Sequence, residues 1–246
     1  GTTDTDYDGP LDDPTATPAD VAYLLDAVNI ATTANLSTGD IVGAWAGLRP
    51  LVTHAATERT ADLSRRHQVR LAPSGLVTIT GGKLTTYRKM ASDAVDAVAP
   101  SRSRTRRLPL RGAVGIAYLR QPGAAARLGV TDAVLAHLLS KYGSEATRVL
   151  ALAGEDRSLL DPLVPGLPYL RAEAVWAALE EMAVTLDDIL ARRTRALIRD
   201  REATATAAAS VATLVAPELG WGPSDVEAQC AAFEATAARE RLAVTP

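Results

Sequence analysis

The sequence predicts an α+β protein: a part that mixes strands with helices, followed by an all-helical part. Three observations carry this. Short β-branched runs separated by turns rich in Asp, Gly and Pro are concentrated in the first hundred residues. Beyond residue 113, apolar residues recur at helical spacing behind capping side chains. Charge divides the chain at the same place: residues 1–99 hold 8 basic and 12 acidic side chains, residues 100–112 hold five arginines and no acid, and residues 113–246 hold 13 basic and 17 acidic. The expected boundaries are therefore a first domain over 1–99, an Arg-rich linker over 100–112 and a helical domain over 113–246.

The elements follow in order. Residues 1–5 are short and β-branched. Thr17-Pro18-Ala19-Asp20 is a helix start with a capping hydroxyl, proline at the first position and an acid three residues after the cap. Val21, Leu24, Leu25 and Val28 then fall on one face. Trp45–Val52 and Gln68–Leu71 read as strands, and Leu76–Thr80, β-branched and alternating, is the clearest one. It runs into Gly81-Gly82-Lys83, after which a helix carries Leu84, Tyr87, Met90, Ala94 and Val98. In the second part Thr131 caps a helix that Gly143 ends. Val175, Leu179 and Met182 form a further stripe. Thr185-Leu186-Asp187-Asp188 resembles a capping box, and Ser224-Asp225-Val226-Glu227 a second one opening the last helix. The Ala-rich run 203–216 reads as a tightly packed helix. Glu180 and Glu181 are expected to pair with Arg192, Arg193 and Arg195 between neighbouring helices.

Composition excludes several classes. Of 246 residues, 47% are apolar and 22% charged, which does not suit a disordered chain. A net charge of -3 argues against wholesale nucleic-acid binding. Cys230 is the lone cysteine, so no internal disulfide can form. No run of about 18 apolar residues encodes a membrane span. The three histidines, His54, His67 and His137, lack ligand spacing, so no metal is expected. The chain opens on Gly1 and reads as a piece of something longer.

Three stretches could carry chemistry. In the strand-turn-helix around Gly81-Gly82-Lys83-Leu84-Thr85-Thr86-Tyr87-Arg88, two glycines let the backbone approach a flat ligand. The amides of the following first turn and the helix dipole favour negative charge there. Lys83 and the hydroxyls of Thr85 and Thr86 add a cation and donors, suiting a phosphate or the electron-rich end of a flavin. An ordinary strand-to-helix turn has the same pattern. The phosphate-loop spacing and the Gly-x-Gly-x-x-Gly dinucleotide fingerprint are both absent. The second stretch is Trp45-Ala46-Gly47-Leu48-Arg49-Pro50-Leu51, where an arginine inside an apolar strand must find acceptors. These are either an anionic ligand or an internal acid. The third is Ser64-Arg65-Arg66-His67, which also reads as a solvated basic turn.

Together with Gly-Thr-Thr-Asp-Thr at 1–5, these motifs in this order resemble the FAD-dependent glycerol-3-phosphate dehydrogenases, with wording close to the actinobacterial members. The helical part is similar to that family's C-terminal domain. The resemblance implies an incomplete flavin and substrate domain, lacking the N-terminal nucleotide-binding segment, ahead of the helical domain. It implies that Gly81, Gly82, Lys83, Leu84 and Thr85 face the flavin of FAD, that Arg49 is catalytic, and that Arg49, Arg65, Lys83 and Thr85 bind substrate. The implied reaction oxidises sn-glycerol 3-phosphate to dihydroxyacetone phosphate by hydride transfer to FAD, with electrons passed to a quinone. A cytoplasmic location, peripheral on the inner face of the plasma membrane, goes with that acceptor, and the Arg102–Arg107 run offers charge for anionic lipid. Oligomer formation stays open. Two other readings compete: a non-catalytic fragment serving as a helical assembly domain, and a related FAD-dependent amine oxidase.

Overall fold

A computed structural model describes residues 3–50, 66–99, 103–154 and 156–244. They fall into two compact units: Gly1–Pro14 with Gly47–Pro109, and Thr15–Ala46 with Leu110–Pro246. Both strands lie in the first unit and the second is helical, the α+β composition expected.

In the first unit, β1 (Gln68–Leu71) and β2 (Val77–Thr80) form an antiparallel hairpin with Gln68 opposite Thr80 and Leu71 opposite Val77. The turn between them closes through Gly75 N–H donating to the Ala72 carbonyl at 2.9 Å. Helix α2 (Tyr87–Val98) packs on both strands. A hairpin and one helix cannot enclose a core: no described residue of this unit is fully buried, and Leu71, Leu76, Val95 and Val98 are exposed. The expected strand at Trp45–Val52 is not formed over its described residues, 45–50, which run without a ladder partner. Residues 3–5 likewise form no strand.

The helical unit begins early. Helix α1 (Pro18–Ala31) is held at its start by the reciprocal Thr17–Asp20 box, with Asp20 N–H donating to Thr17 Oγ1 at 3.2 Å. Short helices α3 (Ile116–Leu119) and α4 (Ala124–Arg127) lead into α5 (Asp132–Tyr142), capped by Thr131 Oγ1, which accepts from Val134 N–H at 3.3 Å. Then come α6 (Ala146–Ala151), α7 (Arg171–Glu180), a π-helical turn (Asp188–Arg193), α8 (Ala196–Arg199), α9 (Arg201–Leu219) and α10 (Pro223–Val244).

Two cores divide this unit. One gathers Leu138, Val149 and Trp176; the other gathers Leu186, Ile189, Leu197, Val211, Val215 and Phe233. Helix α7 serves both, giving Ala172, Val175 and Trp176 to the first and Ala174 and Ala177 to the second. On α9, Ala207, Ala208 and Ala212 are buried, and α9 packs against both α7 and α10. Small side chains permit that close approach, as the Ala-rich run suggested.

Residues 15–46 were grouped by charge with the first part, yet they pack with the helices. Val42 carbonyl accepts from Arg201 N–H at 3.0 Å, and a Cβ on Gly43 would lie 2.6 Å from the Ile198 carbonyl oxygen. These contacts, absent from local sequence pattern, tie the stretch after α1 to α8 and the start of α9. The last helix also starts two residues earlier than the Ser224 box predicts. Pro223 has no N–H to satisfy, so Gly222 takes the cap position and its N–H donates to Asp225 Oδ2 at 2.9 Å.

Candidate functional site

The turn from β2 into α2 is built from backbone. Gly81 and Gly82 have φ of +70° and +91°, the left-handed region where a side chain is strained. On one side the turn is closely supported: a Cβ on Gly82 would come within 2.5 Å of Met90 Sδ and 3.1 Å of His67 Cβ. A single turn of 3-10 helix at Leu84–Thr86 precedes α2. Thr86 secures it, accepting from Lys83 N–H at 3.3 Å and donating to Lys83 carbonyl at 2.9 Å. Lys83, Leu84 and Thr85 are exposed, and Leu84, at 88%, is the most exposed large apolar side chain described.

His67 lies against the turn. Its Nε2 is 2.8 Å from Asp93 Oδ2 on α2, and Lys89 Nζ is 2.5 Å from Oδ1. The Lys89 and His67 hydrogen bonds hold the Asp93 carboxyl below its ordinary range.

Arg49 pairs with an acid. Its Nε is 2.9 Å from Asp4 Oδ1, with the two side chains 44% and 40% exposed. The expectation of a guanidinium buried in a strand is corrected: without a ladder partner the segment leaves Arg49 half in solvent. Two of the motifs singled out in the sequence, 1–5 and 45–51, meet through this pair. Gly81 to Thr85 form one continuous turn, and Arg49 stands on a separate segment of the same unit. Arg65 lies outside the described residues, as does His54. Sequence reasoning passed over Asp4 and Asp93, because neither ion pair to Arg49 or His67 has a local spacing signal.

The most buried charged cluster is in the helical unit. Glu173 is fully buried and receives His137 Nε2 at 2.6 Å, Lys141 Nζ at 3.1 Å and Tyr142 Oη at 3.2 Å. Burial pushes its carboxyl up, but the His137 hydrogen bond and the Lys141 and His137 charges outweigh it and hold the value low. Glu180 pairs with Arg111 at 3.0 Å and Arg148 at 2.7 Å, and both guanidinium groups lie over the Trp176 ring. The expected partners of Glu180 and Glu181 therefore differ. Arg192 goes to Asp188 in its own turn, and Arg193 Nε donates to the Glu181 carbonyl rather than to its carboxylate. These are structural pairs.

Lys83, Leu84 and Thr85 thus stand exposed beside a turn whose Gly82 is backed by Met90 and His67. Residues 103–226 match the family described as the C-terminal domain of alpha-glycerophosphate oxidase, which sets the class of the helical unit. The chain belongs to the FAD-dependent glycerol-3-phosphate dehydrogenase family. It is 42% identical over 252 residues to glycerol-3-phosphate dehydrogenase 2 of Mycobacterium tuberculosis, covering 98% of this chain and 43% of that protein. It is 40% identical over 214 residues to glycerol-3-phosphate dehydrogenase 1 of the same organism, covering 82% and 40%. Among solved structures, the glycerol-3-phosphate dehydrogenase of Bacillus halodurans, complexed with FAD, superposes with a TM-score of 0.77 at 29% identity, covering 99% of this chain and 49% of that one. The chain thus spans less than half the length of these relatives.

Proposed function

We propose that a protein carrying this chain oxidises sn-glycerol 3-phosphate to dihydroxyacetone phosphate. The observation that carries the reading is the positive-φ turn at Gly81 and Gly82, with Lys83 and Thr85 exposed beside it. FAD, when bound, would supply the acceptor for the hydride that leaves C2 of the substrate. The chain's own residues do the rest. Backbone amides of Gly81, Gly82, Leu84 and Thr85 face the cofactor and stabilise negative charge, the Lys83 N–H being taken by Thr86 Oγ1. Lys83, with Arg65, meets the substrate phosphate, and Thr85 donates to substrate. Arg49, fixed at Nε by Asp4, offers its terminal nitrogens to the polyol as a planar fork.

Electrons leave to a quinone in this reading. The exposed basic stretch Arg104, Arg106 and Arg107, followed by exposed Leu108 and Leu110, supports contact with an anionic membrane face. Sedimentation with anionic vesicles at low and high salt tests that contact, and no binding at low salt removes it. The phosphate-type cations favour this substrate over an amine.

The central test is Arg49→Ala in the FAD-loaded enzyme that carries this segment. Turnover of glycerol 3-phosphate falls at least about 100-fold while the yellow flavin spectrum is retained. Near-normal turnover removes Arg49 from the site. Purified alone, these 246 residues are expected to be colourless.

A further inference from the structure

His67 and Asp93 have no part in the reaction as described, yet they sit under its central turn. His67 lies directly before β1, and Asp93 lies 26 positions on, in the second turn of α2. Their contact is short and shielded, at 2.8 Å with side chains 18% and 29% exposed. Asp93 is itself braced by Lys89 one helical turn earlier. The imidazole is therefore tethered to the helix that follows the turn, while its own backbone leads into β1, the antiparallel partner of the strand that precedes the turn.

Gly82 rests on this assembly. Of the atoms that crowd its missing Cβ, Met90 Sδ and Cε are the far end of a flexible side chain and can shift. His67 Cβ, at 3.1 Å, cannot shift without moving the start of β1. So His67 is the rigid part of the floor. A positive-φ glycine pair has more conformational freedom than any other dipeptide. Something outside the pair must fix its peptide planes if their amides are to keep one direction.

We propose that His67 and Asp93 are positioning residues for the Gly81–Gly82 turn. The tethered imidazole sets the height and tilt of the turn's peptide planes, and through them the direction in which its amides point. The consequence for the cofactor rests on the flavin-facing reading above.

The test has two arms. In the first, 15N relaxation is measured on this chain, with Gly81, Gly82 and Lys83 as reporters. Their order parameters lie near the rigid value of about 0.85 in the parent and fall below about 0.6 in His67→Leu. Reporters on α9 stay unchanged. His67→Gln, whose side-chain amide still donates to Asp93, restores the rigid values. Asp93→Leu leaves the imidazole in place but unclamped and repeats the loss, so the test survives should His67→Leu fail to fold. Unchanged order parameters in both leucine variants overturn the proposal, as does a parent in which Gly82 is already mobile. In the second arm, the flavin midpoint potential is measured in the FAD-loaded enzyme. It shifts in His67→Leu and returns in His67→Gln, a readout that a merely structural role would not move. A loosened turn with an unshifted potential supports the positioning role and overturns the flavin reading of the turn instead.

Discussion

Arg49 meets Asp4 side-on, through Nε at 2.9 Å from Oδ1. This contact fixes the guanidinium from its Nε side. Both groups are about half exposed, so the pair itself contributes at most about 1 kcal/mol to stability. Asp4→Asn is therefore expected to leave the thermal midpoint unchanged. In the FAD-loaded enzyme it raises KM for glycerol 3-phosphate roughly 3- to 10-fold, about 1 kcal/mol of lost orientation. Steady-state kinetics beside a melting curve separates the two effects. An unchanged KM detaches Asp4 from the substrate.

The fully buried Glu173 behaves differently. Glu173→Leu strands Lys141, His137 and Tyr142 without their shared acceptor and costs about 3–5 kcal/mol. Urea unfolding followed by Trp176 emission measures this. The pH dependence follows from the lowered folded value. An acid whose folded pKa lies below its unfolded one stabilises the fold above the unfolded value, near 4.5, and loses that contribution as pH falls through the folded value. Parent and variant should therefore converge in stability on acidification below about 4.5.

Glu240 on α10 carries the opposite sign. Burial pushes its carboxyl up to about 7, against the nearby Arg201 charge and the N–H bond from Ala44. Between about 4.5 and 7 the folded state binds the proton more tightly than the unfolded state, so stability falls as pH rises through that window. Glu240→Gln keeps an acceptor for Ala44 and removes the ionisation. Discounted for partial solvent exposure, the gain is about 1 kcal/mol above pH 7 and nothing below about pH 4.5. Equal effects at pH 4 and pH 8 would contradict this.

Gly43 tests the anchoring of residues 42–44 on the helical unit. A methyl there meets Ile198 backbone atoms at 2.6 to 2.8 Å, which neither side can yield cheaply. Gly43→Ala should cost about 2 kcal/mol by overpacking. Gly75 offers the control: at φ +86° its Cβ would meet nothing, so Gly75→Ala carries backbone strain alone, about 1 kcal/mol. Calorimetry on the two variants orders them, and a reversed order would exclude the anchor.

Local signals were legible in the sequence. The Thr17–Asp20 and Thr185–Asp188 boxes, the Thr131 cap and the β2 run into the diglycine turn all depend on residues within four positions of each other. They form as read because that physics is short-range. What escaped is set by the meeting of distant segments. Glu180 finds Arg111 from 69 positions away, where the nearer arginines had been expected. The Arg49–Asp4 and His67–Asp93 pairs have no periodic signature either. The expected strand around Arg49 failed for the same reason, since an extended run becomes a strand only when another backbone lies beside it. The π turn at Asp188–Arg193 replaced an expected α-helix although its opening box was read correctly.

Helix α1 packs on α10, although nearly the whole chain separates them. Emerging from a ribosome, α1 must wait for the last helix before its partner exists, while residues 47–109 are made in between and belong elsewhere. That order of synthesis makes closure of the helical unit a late, long-range event. A polypeptide interrupted just before α10 would deprive α1 of that packing, a natural point for quality-control proteases to act.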